Sequence, residues 1–477
     1  GVREINFTVG ELKRCATIEA DGLVKFDLTG VAPGKYEIQA TAGNYTVGFP
    51  ITVLPGFPAI QPQKLNNFHS VLAELELVPG RAASFVNPRD GWVLFRLPPE
   101  TVVTVAGSKS PLSDGGFVKL PAGKHEIQVS GKGGKGSVRA VTETSIYQLC
   151  GGPYPKELPK HDWEFTKKFE LPYVMTFYGG GVEGAELTAF RQGNQRLLAN
   201  ADIGLVTKAP EDGRALITGG LVQKNHWFDG CYIDELALST VKNLIWFIKN
   251  APRLGIPAGR EAPVYVCGRV APSAIAAKLF SVCANLGDNG YCVSEIYLPN
   301  IAADETAASK LIADRLTGYA RELNRIYPGA AQFWGVALCH SNVALNFTID
   351  HEPEADHRVF LDMQMQTIAT QPEFAGLALI NFWGDNYSDC ERTRWMMALL
   401  KHYVFEGQTD LLSPRYGLKL RPGHLQNASF RKGLEHWHVE GKVKPGKAPG
   451  VAAMLKRFNP PDGAENFVSF ERGEQPN

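Results

Sequence analysis

Between residues 172 and 405 the chain repeatedly switches its hydrophobic period, and this constrains the fold more than any other feature of the sequence. Short apolar runs read as strands at 172–178 (PYVMTFY), 202–207 (DIGLVT), 229–235 (DGCYIDE), 263–267 (PVYVC), 290–297 (GYCVSEIY), 332–339 (QFWGVALC) and 375–383 (FAGLALINFW). Helical patterns lie between most of them, near 184–198, 237–249, 272–286, 304–326, 357–370 and 390–405. The stretch ETAASKLIADRLTGYARELNRIY carries apolar residues at i, i+3, i+4 and i+7 and then stops at Pro-Gly. Strand and helix alternating over about 250 residues leave two architectures, a closed parallel barrel or a doubly wound sheet. Seven strands are clear, and an eighth is placed at 215–219 (ALITG). The expectation is a central (β/α)8 TIM-type barrel over residues 160–408.

The flanks have a different character. Residues 1–57 alternate apolar and polar residues between Pro-Gly and Ala-Gly breaks, as an Ig-like β domain would. Residues 58–147 repeat the style, and APGKYEIQATAG is echoed by PAGKHEIQVSG. GKGGKGS at 131–137 lacks the order of a phosphate loop and reads as a hairpin tip. A Pro-rich linker, CGGPYPKELPKHDW, precedes the alternating region. Helical periodicity ends near 409, and residues 409–477 read as a short C-terminal β segment. The expected fold class is multidomain β plus α/β, with N-terminal β-sandwich-like domains ahead of the barrel.

Composition narrows the partners. Lys+Arg and Asp+Glu both number 49 in 477 residues, so the net charge is zero and nothing draws the chain generally to nucleic acid or an anionic membrane. No window approaches the roughly 18 apolar residues of a membrane span. The chain opens on Gly-Val-Arg-Glu, without a basic and then apolar leader. Cys15, Cys150, Cys231, Cys267, Cys283, Cys292, Cys339 and Cys390 show no CxxC pair, and they read as unbridged thiols rather than a disulfide frame or a zinc site. No cofactor or metal is expected, and the oligomeric state is not encoded in any pattern.

One motif points elsewhere. Gly179-Gly180-Gly181-Val182-Glu183-Gly184 matches G-x-G-x-x-G between a strand and a helix, as in dinucleotide-binding sheets. That fingerprint needs an acid at the end of the second strand. With the strand at 202–207, Asp202 precedes it and Thr207-Lys208 ends it, so a dinucleotide-dependent enzyme is the less favoured reading.

In a barrel, ligands bind at the C-terminal ends of the strands. The residues placed there are Tyr178, then His226, Trp227, Asp229, Asp234 and Glu235 of HWFDGCYIDEL, then Glu295 and Tyr297, His340, and finally Trp383 and Asp385. Two acids facing one pocket push their pKa values apart, and glycosidic cleavage needs such a pair on either side of the bond. Aromatic rings at a rim suit the apolar face of a sugar. Asp234, Glu235 and Glu295 are therefore the candidate catalytic carboxylates. Tyr178, His226, Trp227, Asp229, Tyr297, His340, Trp383 and Asp385 are the candidate substrate contacts. Strand parity leaves open whether Asp234 or Glu235 faces the pocket, and both could instead cap the helix that follows. A carboxyl separation near 5 Å would imply retention, and about 6.5–9.5 Å inversion.

FDGCYIDE resembles the Asp-Gly-x-x-x-Asp strand of barrel glycoside hydrolases, the α-glucosidase-type families in particular. There the second aspartate ends the fourth strand as nucleophile, and an acid/base follows the sixth. The resemblance implies nucleophile at Asp234 and acid at Glu295. The chain departs from the strand-four and strand-seven glutamate pattern, because the run at 332–339 ends in Cys339-His340-Ser341 without a carboxylate. The stretch from FLDMQMQ to HYVFEG resembles the closing strand and helix of uncharacterised bacterial glycosidase-like barrels, and HLQNASFRKGLEHWHVEG resembles the opening of a carbohydrate-binding jelly roll. Together these imply a secreted or periplasmic bacterial glycoside hydrolase acting on a poly- or oligosaccharide. The alternative is a non-catalytic glycan-binding or surface-scaffold barrel.

Overall fold

The structure, a computed structural model, describes residues 4–19, 24–53, 62–150, 161–180, 182–202, 227–234, 264–268, 279–280, 290–298, 304–339, 355–383 and 388–421, with short pieces beyond. Strands β1 (Glu4–Val9), β2 (Leu12–Thr17), β3 (Gly34–Ala42) and β4 (Tyr45–Val53) form one antiparallel sheet in the order β2-β1-β3-β4. Two-residue loops set its register: Val9 pairs with Leu12 and Ala42 with Tyr45. Gly10 and Gly43 take the positive φ that such tight hairpins require. Phe7, Val9, Ala16 and Ile38 form its small core, and Phe26 stacks on Phe7 at 4.0 Å. Among the described residues of 1–57, where an Ig-like β domain is expected, there is this one four-stranded sheet and no second sheet against it.

Strands β5 (Gln63–Asn66), β6 (His69–Leu77), β7 (Ala82–Asn87), β8 (Gly91–Arg96), β9 (Thr101–Val105), β10 (Phe117–Leu120), β11 (Gly123–Gly131) and β12 (Gly134–Val141) form two sheets, β10-β8-β12-β6-β5 and β7-β11-β9. Phe85, Val93, Phe95, Val103, Ile127 and Val138 fill the space between them. The run Trp92–Phe95 is buried throughout, since Val93 and Phe95 face the sandwich while Trp92 and Leu94 join the core of the following domain. The Gly-rich stretch expected to be a hairpin tip instead crosses between the two sheets, because β11 and β12 belong to different ones. A Cβ on Gly131 would lie 1.9 Å from the Glu100 carbonyl, so only glycine fits that crossing.

Strands β13 (Glu143–Leu149), β14 (Thr176–Gly180), β15 (Arg196–Asp202), β16 (Gly230–Asp234), β17 (Val264–Gly268), β18 (Tyr291–Glu295), β19 (Trp334–Cys339) and β20 (Leu379–Trp383) close a parallel barrel in sequence order, with β20 pairing back to β13. The expected (β/α)8 TIM-type architecture needs correcting. A regular helix of eight or more residues follows only four of the eight strands among the described residues: Gly184–Gln192, Glu305–Ile312 continued by Gly318–Ile326, His357–Thr370 and Cys390–Leu399. β13 leads instead into one helical turn, Trp163–Phe165, and a π-helical segment, Thr166–Glu170. Further π-helical turns interrupt or extend the helices at Ala313–Thr317 and Leu400–Phe405. Antiparallel sheets dominate the rest of the molecule, so it is a mainly β structure containing a parallel barrel, not a barrel repeat with β appendages.

Two strand positions also move. The first barrel strand is β13, ahead of the expected start at residue 160, and the expected strand ALITG lies outside the described residues. The third strand is Arg196–Asp202 and ends at Asp202; of the expected strand 202–207 only that residue lies among the described residues. The acid missing from the dinucleotide fingerprint is thus present, but a closed barrel has no strand-order reversal to hold a dinucleotide. β21 (Val443–Gly446) and β22 (Phe467–Phe470) pair antiparallel, and most of the stretch resembling a jelly roll lies outside the described residues.

Aspartates start the helices. Asp304, Asp356 and Asp389 each accept a hydrogen bond from a backbone N–H of the first turn. The end of His357–Thr370 is satisfied across the domain junction, where Asn67 donates its backbone N–H to the Ala369 carbonyl (2.8 Å) and its side-chain amide to those of Ile368 (2.7 Å) and Gln371 (2.6 Å). Asn66 does the same for Tyr403 and Gln408, both at 2.8 Å. The β5–β6 turn is therefore a plug that ties the sandwich to the base of the barrel. Among the described residues no helix is long and apolar enough to cross a membrane.

Candidate active site

Alternation along the strands sorts each barrel residue to the inside or the outside. On β16, Cys231 and Ile233 pack outward into the main core, whereas Tyr232 joins the interior cluster. Asp234, two residues beyond Tyr232, therefore faces the barrel interior at the C-terminal end, half-buried. On β18, Cys292 packs outward while Tyr291 and Val293 face in, so Glu295 faces in at the same end, also half-buried. Counted from β13, these are the ends of the fourth and sixth strands. The backbones of β16 and β18 are separated by one strand, which sets them about 10 Å apart.

A third acid shares this rim. Asp202 ends β15 and is the direct register partner of Asp234, with backbones about 4.8 Å apart. It was not among the expected site residues, and the signal for it was the run LLANAD, once the strand is read as ending there. Trp383 ends β20, and its ring stacks with Tyr297 at 5.3 Å and 27°, both against the interior cluster. Asp234, Glu295, Tyr297 and Trp383 are thus brought to one end of the barrel.

Beneath this rim lies a floor of tyrosines. Tyr178 is fully buried, stacked on Tyr232 at 3.9 Å, and donates to the Ser145 hydroxyl at 2.8 Å. Tyr147 donates to the Tyr232 hydroxyl at 3.0 Å, and the Asn381 amide reaches Ser145 Oγ at 2.9 Å. Tyr178 is therefore a support for the rim rather than the expected substrate contact. Ser145, Tyr147, Tyr232 and Asn381 went unnoticed in the sequence because nothing in their spacing shows that they share the lumen.

Two expected contacts lie at the opposite end. Trp227 and Asp229 precede β16, so they sit at its N-terminal end. Asp229 accepts from Arg191 Nη1 (2.6 Å) and from the Leu197 N–H (2.9 Å), an ion pair that anchors the starts of β15 and β16. His226, Glu235, His340 and Asp385 lie outside the described residues. Among the described residues no group of three His, Cys, Asp or Glu side chains could hold a metal ion. Cys231, Cys292 and Cys339 are buried thiols, and burial pushes Cys231 up to about 12.

The N-terminal mouth of the barrel is plugged by charge. Lys119 of β10 places its ammonium 3.7 Å from Glu143 of β13, with side chains 7% and 0% exposed, and lies 5.2 Å from the centre of the Tyr291 ring. Thr176 donates to the other Glu143 oxygen at 2.5 Å. Burial first, then the nearby Arg196 charge, pulls Lys119 down to about 8, while Glu143 opposes the shift.

No family model matches the chain, and no curated protein matches it. Among solved structures it is similar to the C-terminal domain of a protein provisionally named a chitinase from Desulfitobacterium hafniense DCB-2, at 13% identity and a TM-score of 0.34, over 54% of this chain and 98% of that one. It is also similar to the cell-surface-expressed multi-modular chitinase of Paenibacillus sp. str. FPU-7, at 11% identity and a TM-score of 0.33, over 72% of this chain and 57% of that one. A GH36 α-galactosidase from Geobacillus stearothermophilus, in complex with raffinose, follows at 8% identity and a TM-score of 0.25, over 84% and 75%. The chain spans little more than half of the Paenibacillus enzyme.

Proposed function

We propose that the protein is a carbohydrate-active barrel that cleaves glycosidic bonds of a poly- or oligosaccharide at its C-terminal rim. One observation carries the reading: Asp234 and Glu295 are interior-facing, half-buried carboxylates at the ends of the fourth and sixth strands of one closed barrel. In this reading Asp234 is the nucleophile or stabilising carboxylate and Glu295 protonates the leaving oxygen. The stacked Tyr297–Trp383 pair supplies an aromatic platform for a sugar ring. Glu235 follows Asp234 directly and lies outside the described residues, so the reading rests on Asp234. Extracellular or periplasmic action on glycans belongs to the same proposal.

A non-catalytic glycan-binding barrel is the second reading. It is favoured by the end of β19, where the interior-facing residue is Cys339 rather than a carboxylate. Reducing-sugar release from a polysaccharide panel separates the two. Turnover that disappears in Asp234→Asn and in Glu295→Gln supports the hydrolase. Binding without turnover supports the scaffold.

A further inference from the structure

A cavity of 450 Å³ opens between the sandwich and the base of the barrel, at the end opposite the carboxylate rim. Its walls are the Ser110–Phe117 loop of the sandwich, the Leu171–Tyr173 and Gly193–Gln195 segments that lead into β14 and β15, and the Lys401–Glu406 region after the last helix. Its size lies within the range of small-molecule sites, which favour domain junctions. We infer that this cleft is a second binding site, distinct from the proposed active site, and that it takes a neutral saccharide unit.

The charges of the walls cancel in pairs. Arg96 faces Asp114 at 3.9 Å and donates to the Phe405 carbonyl at 2.8 Å, while Lys401 faces Glu406 at 3.8 Å. Two cations and two anions leave no net field to select a charged ligand. The remaining polar groups are of both kinds. Asn194 accepts from the Lys109 N–H through its side-chain oxygen, which leaves its amide nitrogen available as a donor. The hydroxyls of Tyr173, Ser110 and Ser113 make no hydrogen bond among the described residues, and each can donate or accept. Tyr173 is half-buried and held edge-to-face against Phe405 at 5.4 Å, which fixes its ring at the wall. Donors, acceptors and one fixed aromatic ring around a cavity without net charge match a sugar, whose hydroxyls donate and accept and whose ring has an apolar face.

The test uses the full chain carrying Asp234→Asn, so that turnover at the rim cannot consume or hold the probe productively. Calorimetric titration with cellobiose, N,N′-diacetylchitobiose, maltose and an acidic digalacturonate is compared for this protein and for the same protein with Asn194→Ala, Tyr173→Phe or Ser113→Trp. Ser113→Trp sits on the exposed loop and fills the cleft without touching the core, so it stands in if either of the others unfolds. The expected result is that the titration resolves a site that takes a neutral disaccharide better than the acidic one, that Asn194→Ala and Tyr173→Phe each weaken that site about 5- to 10-fold, and that Ser113→Trp removes it and leaves only binding at the rim. The inference is overturned if no neutral sugar binds at concentrations up to roughly 10 mM, if the acidic sugar binds best, or if the cleft variants leave binding unchanged. Hydrolysis is assayed separately on the protein with Asp234 intact, so failure at the cleft leaves the reading of the rim untouched, and the reverse also holds.

Discussion

His69 shows how one residue can make the junction sensitive to acid. Its Nδ1 donates to the Val404 carbonyl at 2.7 Å, and its Nε2 faces Arg139 Nη1 at 3.3 Å, which requires the neutral ring. Burial is the main cause that brings its pKa down to about 4, and the Arg139 and Arg96 charges add to it, while the bond to Val404 opposes it. Between pH 6.5 and 4 the unfolded chain takes up a proton that the folded chain refuses, so stability falls with pH across that window. The full effect is about 3 kcal/mol. Urea midpoints measured from pH 7 to 4 are expected to fall in the native protein and to flatten in His69→Gln; equal slopes would remove His69 as the cause. Lys119 works at the other end of the scale. Its folded pKa of about 8 lies below the unfolded value, so stability rises as pH climbs from about 8 past 10. Lys119→Met removes the ammonium beside the buried Glu143 carboxylate and is expected to cost about 3–5 kcal/mol, with Lys119→Met/Glu143→Gln costing less. A double variant no better than the single one would show that the pair does not act as a unit. Residue chemistry was also where the sequence was most legible. Asp234 and Glu295 stood out as acids at strand ends, and the neighbouring Tyr232 and Tyr291 settle which way they face. Trp227 and Asp229 belonged to the same motif yet lie at the wrong end of β16, because a motif shows residue types without showing where its strand begins.

At the scale of elements, the β5–β6 plug holds the sandwich on the barrel. Asn67 supplies three hydrogen bonds to carbonyls around the end of the helix His357–Thr370, two of them from its side chain. Asn67→Ala leaves buried acceptors without partners and is expected to destabilise the protein by about 2–3 kcal/mol, read as a fall in thermal midpoint, whereas a loss under about 0.5 kcal/mol would mean that water replaces the amide. Six barrel strands were readable to within a few residues, since a parallel strand buried on both sides is a continuous apolar run. β15 was misplaced because two apolar runs, LLANA and IGLV, lie side by side in the sequence, and periodicity alone does not choose between them. β13 was assigned to the preceding domain because ETSIYQL follows β12 after one residue, and nothing local marks the change from antiparallel to parallel pairing. The (β/α)8 expectation failed for a related reason: helical periodicity cannot distinguish α from π turns, and the described helical residues between β13 and β14 are one α turn, Trp163–Phe165, and the π-helical Thr166–Glu170.

For the whole molecule, the cores predict how it comes apart. Trp92, Leu94 and Phe117 of the sandwich share one cluster with Ile146, Trp334 and Phe405 of the barrel, whereas the four-stranded N-terminal sheet keeps its own small core. Scanning calorimetry is expected to show the sandwich and barrel melting in one transition, and removal of residues 1–61 is expected to leave that transition in place. Two separate transitions within the remainder would contradict a shared core. The same arrangement assigns each end of the barrel a task. The base is covered by the sandwich and the buried Lys119–Glu143 pair, and the proposed function places substrate at the carboxylate rim. Reducing-sugar release from a broad polysaccharide panel shows whether Asp234 and Glu295 at this rim cleave glycosidic bonds. The wild type is expected to turn over at least one substrate, and Asp234→Asn and Glu295→Gln are each expected to reduce the rate by at least about 10²-fold with an unchanged thermal midpoint. Turnover that survives in both variants, or its absence from the wild type on every glycan that binds, would contradict this role of the two carboxylates.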